Sequence, residues 1–212
     1  MRKSASSIRP TRASLNRLLS YRNQNPDRAE EIDEEIREVF QQRKAVLALD
    51  MCGFSRLTES HGVIHFLAMI QQMRDACVPA VKGNDGAIVK FDADNAFAIF
   101  DHPGNALEAA LDIFRAFEAM NAVLPTDRDL YGSIGIGYGD LLVVGDEDVF
   151  GPEMNHASKL GEDIASRMQI LLTPQAHDAL LPDRYAFARQ TYTVGGVEHV
   201  GYRLVRPHIL HG

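Results

Sequence analysis

Cysteine is scarce in this 212-residue chain: Cys52 and Cys77 are the only two. No disulfide framework is implied, and a reducing cytoplasm is the expected compartment. Long apolar runs are missing too. None reaches the roughly 18 residues of a membrane-crossing helix, so no membrane span is expected. The N-terminal basic residues have no apolar segment behind them, which argues against a secretory signal. Positive charge is in short supply: 22 Lys and Arg against 29 Asp and Glu leave a net charge of −7. That balance speaks against holding nucleic acid by bulk attraction. Internal repeats and low-complexity linkers are absent from residues 44–206. What is present is a chain 45% hydrophobic, enough for one good core with a short extension.

Residues 1–26 carry Arg2, Lys3, Arg9, Arg12, Arg17 and Arg22 with no acidic residue, and read as a mobile basic arm. A transit peptide would share that composition. Residues 27–43 turn acidic. Asp27 with Glu30 has the form of a capping box, and Ile32, Ile36, Val39 and Phe40 recur at helical spacing. This predicts an amphipathic lead-in helix that packs on its own domain or on a twin in a dimer. Residues 44–206 read as one domain, with 207–212 a tail. Residues 45–50 form a buried strand ending on a carboxylate, and residues 65–78 a helix stopped by Pro79. Residues 87–92 and 96–100 form a hairpin with its turn at Asp94-Asn95. Residues 105–121 are helical, and strands at 131–138 and 141–144 are separated by Gly139-Asp140. Gly135-Ile136-Gly137-Tyr138-Gly139 lacks dinucleotide-fingerprint spacing and opens no helix, so it reads as a bent strand and turn. The order strand, helix, hairpin, helix, strand is that of a ferredoxin-like βαββαβ core. A helix at 155–166 and strands at 170–173, 191–194 and 201–205 extend it. The fold class is α/β (α+β), with a mixed or mainly antiparallel sheet.

Two carboxylates stand out by position. Asp50 ends the first strand, and Asp94 sits at the turn of the hairpin. In a ferredoxin-like sheet those strands can lie side by side and bring both acids to one edge. Paired carboxylates there suit two hard cations and a phosphoryl displacement. Met51-Cys52-Gly53-Phe54-Ser55 is a small-residue turn leading toward a helix, whose backbone N–H groups can cradle phosphates. Each feature alone is weak, because an Asp at a strand end is as often an exposed turn residue.

The motifs together are more specific. The segment Leu47 to Ser55 resembles the first metal motif of class III adenylyl and guanylyl cyclases. Ile88-Val89-Lys90-Phe91-Asp92-Ala93-Asp94 resembles their second, in which a lysine precedes the metal aspartate by four positions. Asp148 to Lys159 resembles the third, an Asp-x-x-Gly-x-x-x-Asn-x-Ala segment, and the likeness spans about residues 44–205. The resemblance implies that Asp50 and Asp94 hold two divalent cations, Mg²⁺ or Mn²⁺. It implies that Lys90 and Asp148 read the base, a donor and an acceptor that suit adenine, and that Asn155 orients ribose and transition state. It further implies a homodimer with two shared active sites, metal acids from one subunit and base-reading groups from the other.

Departures accompany the likeness. The family's transition-state arginine is Lys159 here, which keeps the charge and loses the bidentate fork. The glycine before the second metal aspartate is Ala93, and Asp92 adds a third carboxylate. The reaction the resemblance implies is closure of a nucleoside triphosphate, ATP first, to its 3′,5′-cyclic monophosphate. Small stand-alone pyrimidine cyclases of bacterial anti-phage signalling are similar in fold and make UTP or CTP the rival substrates. A non-catalytic nucleotide-binding dimerisation module is the rival of another class, on account of Lys159.

Overall fold

The structure is a computed structural model describing residues 8–53, 62–181 and 184–207. In place of a mobile arm, half of the basic segment is helix α1 (Arg12–Gln24), and the Thr11 hydroxyl accepts the Ser14 N–H at its start. Leu15 and Leu18 are the reason it is held. Spaced one turn apart, they are buried against Ile32, Ile36 and Phe40 of α2 (Ala29–Phe40) and against Val144. A 3₁₀ turn at Pro26–Arg28 joins the two helices, and Arg22 forks onto both Asp33 oxygens at 2.5 and 2.9 Å. No capping box forms. The N-cap of α2 is Arg28, with Glu30 and Glu31 placed in the first turn, where the helix dipole favours acids.

Strand β1 (Gln41–Met51) runs through the middle of the sheet, and its residues 45–49 are all buried. Alternation decides which layer each one enters. Ala45, Leu47, Leu49 and Met51 face the larger core with α3 (Val63–Gly83) and α4 (Pro103–Asn121), among Met69, Met73, Ile113 and Phe117. Val46 and Ala48 face the opposite layer with Phe97, Leu141 and Met154. Helix α3 does not stop at Pro79. It continues to Gly83, because Ala76, Cys77 and Val81 keep its buried stripe on the core. Such packing offsets the hydrogen bond that Pro79 removes.

Strands β2 (Ala87–Asp92) and β3 (Asn95–Phe100) form the expected hairpin, and β4 (Gly132–Val144) lies on the other side of β1. The first four strands take the order β2-β3-β1-β4 with antiparallel neighbours, the ferredoxin-like arrangement. There is no break at Gly139-Asp140. Lys44 and Arg43 of β1 pair with those two residues, so β4 is continuous. Strand β5 (Asp148–Phe150) folds back on β4, then α5 (Pro152–Ser158) crosses beneath it. Strand β6 (Ile170–Leu172) pairs parallel to β4, and short helix α6 (Pro174–Asp178) follows. A long hairpin of β7 (Tyr185–Val194) and β8 (Val197–Pro207) completes the eight-stranded sheet.

The glycines of residues 135–139 mark a close approach rather than a bend. A Cβ on Gly135 would lie 1.9 Å from the Ala157 carbonyl oxygen, and one on Gly137 2.5 Å from that of Glu153. Helix α5 therefore rests on the bare backbone of β4. The helix expected over 155–166 is also divided: α5 ends at Ser158 and Lys159–Ile164 is a π-helical turn, closed by Ala165 N–H donating to the Leu160 carbonyl at 2.7 Å. The wider turn lays Gly161 against Ala48 and Gly135, where a Cβ would fall 2.8 Å from the Ala48 oxygen.

Candidate active site

Antiparallel pairing of β1 with β3 puts Asp50 opposite Asn95, one residue beyond Asp94. The turn is Ala93-Asp94 rather than Asp94-Asn95, since Asp92 and Asn95 are still a cross-strand pair. Ala93 adopts φ 48°, the left-handed region in which glycine is at ease, and there it takes the place of the family's glycine. The Met51 N–H donates to the Asp94 carbonyl at 3.2 Å, which pins the turn against the end of β1. Asn95, with its amide nitrogen toward β1, donates to Asp50 Oδ1 at 3.1 Å and to the Leu49 carbonyl at 3.2 Å.

The Asp50 carboxyl is pushed up to about 7, first by burial and then by the charges of Asp94, Glu162 and Asp163. Burial, with Asp163 and Asp94 beside it, also raises Glu162. This concentration of acids invites a cation. Among the described residues no three His, Cys, Asp or Glu side chains converge as a ready-made cage. Two carboxylates that leave the remaining coordination to phosphate oxygens and water are the donor set Mg²⁺ ordinarily takes beside a triphosphate. Asp50 and Asp94 fit that role, whereas Glu162 and Asp163 come from the π turn and are unmarked in the sequence reading.

Lys90 and Asp148 meet in an ion pair at 3.0 Å, joining β2 to β5. The Asp148 side chain is only 14% exposed, and its Oδ2 also accepts from the Arg12 guanidinium at 2.6 Å. Burial opposes its ionisation, but the hydrogen bonds from Arg12, Lys90 and the Val149 N–H prevail and hold its carboxyl below the usual range. Arg12 escaped the sequence reading, which assigned it to the arm.

Asn155 is exposed on α5, one turn before Lys159, whose ammonium pairs with Asp163. Among the described residues, no hydrogen bond or ion pair joins Asn155 or Lys159 to Asp50, Asp94, Lys90 or Asp148. The proposed phosphate turn needs correction. The Cys52 N–H donates to the Tyr131 carbonyl at 2.8 Å, so the amides of Met51 and Cys52 are both spent within the sheet. A cradle here would begin at Gly53, whose φ is 83°, while Phe54 and Ser55 lie outside the described residues. The Cys52 thiol is raised by burial, against a contact with Ser133 Oγ at 3.5 Å, and so is no activated nucleophile.

Comparison with known proteins bears on the fold. No protein-family model matches the chain. It is 29% identical over 134 residues to a Rhizobium meliloti (strain 1021) protein provisionally named adenylate cyclase 3, the match covering 63% of this chain and 22% of that protein. The match thus spans about a fifth of that relative's length. Among solved structures, an adenylate/guanylate cyclase/hydrolase from Silicibacter pomeroyi superposes with a TM-score of 0.63 at 28% identity, covering 78% of this chain and 98% of that one. The guanylyl cyclase Cya2 gives 0.68 at 18% identity, covering 81% and 96%. A bacterial light-regulated adenylyl cyclase gives 0.65 at 18%, covering 78% and 91%. The fold is that of the class III adenylyl and guanylyl cyclase catalytic domain.

Proposed function

We propose that the chain is a nucleotidyl cyclase that closes a nucleoside triphosphate to its 3′,5′-cyclic monophosphate. The observation that carries this reading is the juxtaposition of Asp50 and Asp94 at one end of the sheet, where the charges acting on the half-buried Asp50 carboxylate, among the described residues, are those of other acids. Two divalent cations held there would promote ionisation of the ribose 3′-hydroxyl and neutralise the triphosphate. In the reaction the 3′-oxygen bonds to the α-phosphorus, the bond to the bridging oxygen breaks, pyrophosphate departs and the hydroxyl proton passes to solvent. Asn155 orients the ribose. Lys159 turns from Asp163 to the α-phosphoryl oxygens, offering a point charge in place of a fork. Lys90 and Asp148 read the base.

Among the described residues, Asn155 and Lys159 form no hydrogen bond or ion pair with Asp50 or Asp94 of their own chain. The site is accordingly proposed to form between two copies, giving a homodimer with two equivalent sites. Taken alone, Lys90 and Asp148 match the acceptor and donor of adenine and argue for ATP. UTP or CTP is the second reading, and of the two the Arg12 contact on Asp148 favours UTP. Incubating the pure chain with each nucleoside triphosphate and Mn²⁺, then resolving the products, tests all of these. A cyclic monophosphate with release of pyrophosphate is expected. No cyclic product from any of the four leaves the nucleotide-binding module as the function.

A further inference from the structure

Asp148 has more partners than Lys90. Its Oδ1 faces the Lys90 ammonium at 3.0 Å and accepts the Val149 N–H at 3.0 Å, while Oδ2 accepts from Arg12 at 2.6 Å. A carboxylate offers about four lone-pair positions, so three are spent and one remains, on Oδ2 beside Arg12. Both cations are seated on aromatic rings, Arg12 over Phe150 and Lys90 over Phe97, each 5.3 Å from the centroid. Their side chains are each 34% exposed against 14% for Asp148, so the cluster shows its donors more than its acceptor. Arg12 is also no loose end. It is the first residue of α1, which Leu15, Leu18 and the Arg22–Asp33 pair fasten to α2.

We propose that Arg12 is a base-reading residue, completing with Lys90 and Asp148 a donor–acceptor–donor edge that selects uracil. This rests on the cyclase reading above and replaces adenine as the base expected from Lys90 and Asp148 alone. Uracil presents O4, N3–H and O2 in a row, so N3–H meets the free Oδ2 position and each carbonyl meets a cation. Adenine offers one acceptor beside an amino group and leaves a cation unmatched. Cytosine turns its amino group, and guanine its 2-amino group, toward a cation. An unmatched or opposed polar group in such a pocket lowers affinity by roughly tenfold or more.

Calorimetric titration of the full chain with the four 3′-deoxynucleoside triphosphates and Mg²⁺ tests this, since these analogues lack the attacking hydroxyl and binding is read without turnover. The wild type should bind the uridine analogue about tenfold more tightly than the others. Arg12→Ala should lose about that factor for uridine and little for adenosine, and Arg12→Lys should regain part of it. A melting curve establishes that Arg12→Ala is folded; if it is not, Arg12→Gln carries the test. Equal loss for all four analogues, no loss, a wild type preferring another base, or no binding would each overturn the proposal. The Mn²⁺ product assay judges the cyclase reading separately. Uridine-selective binding without cyclic product removes the activity and keeps the role of Arg12, whereas cyclic product without Arg12-dependent base choice does the reverse.

Discussion

At the scale of single residues, the acids expected to hold cations are also a burden on the fold. Asp50 titrates near 7 in the folded chain against 3.8 for the ordinary carboxyl. Between those values the folded state keeps a proton that the unfolded state has released, so stability falls as pH rises from about 4 to about 7. Asp50→Asn should therefore melt higher than the wild type at pH 8 without divalent cations and match it at pH 4. Calorimetric melting at the two pH values checks this, and equal shifts at both would contradict it. The same residue is expected to be indispensable in the reaction, a trade between activity and stability common at functional sites. Lys159 is the second test. Its partner is an acid of its own helical turn, so it has charge to offer the transition state while costing the ground state little. Lys159→Ala should lower kcat more than it raises KM, and a change in KM alone would make Lys159 a ground-state binder.

At the scale of elements, the strands and the β2–β3 hairpin are legible because apolar alternation and turn residues are local signals. Residues 45–49 and the apolar run at 87–92 announce β1 and β2 without any knowledge of their neighbours. What local signals miss is set by packing between distant segments. Helix α1 exists because Leu15 and Leu18 meet Val144, and Arg12 reaches Asp148 across 136 residues of sequence. The π turn follows from the same cause, the need of Gly161 to lie against Ala48 and Gly135. Pairing of Lys90 with Asp148 is legible only through the resemblance to a known family, since nothing in either local sequence points to the other. The contact of α5 on β4 gives an element-level prediction. In Gly135→Ala the added methyl meets the Ala157 backbone, which cannot turn aside as a side chain would, so a loss of about 3 kcal/mol is expected in urea unfolding. Gly83→Ala, at a helix end with open space around it, should be neutral or stabilising.

At the scale of the whole molecule, one chain carries every group proposed for the reaction, but among the described residues no hydrogen bond or ion pair joins Asn155 or Lys159 to Asp50 or Asp94. Asp50 and Asp94 share an edge with Glu162 and Asp163, whereas Asn155 stands exposed on α5 and Lys90 is tied to Asp148 and β5. A head-to-tail pair of chains would bring the acids of one against Asn155 and Lys159 of the other, and the twofold axis would repeat the arrangement. The consequence is a complementation test. Asp50→Ala and Asn155→Ala homodimers each lack one half of both sites and should be inactive. In a heterodimer the lesions fall together in one site and leave the other whole. Random exchange in an equal mixture gives heterodimers as half the population, each with one working site of two, so about a quarter of wild-type turnover should return. Mixing under conditions that let subunits exchange, with heterodimer content measured from differently tagged chains, gives the number to compare. If heterodimers form and no turnover returns, each chain must close a complete site around its own acids, and Asn155 and Lys159 would have to reach Asp50 and Asp94 by a rearrangement within α5 and the π turn.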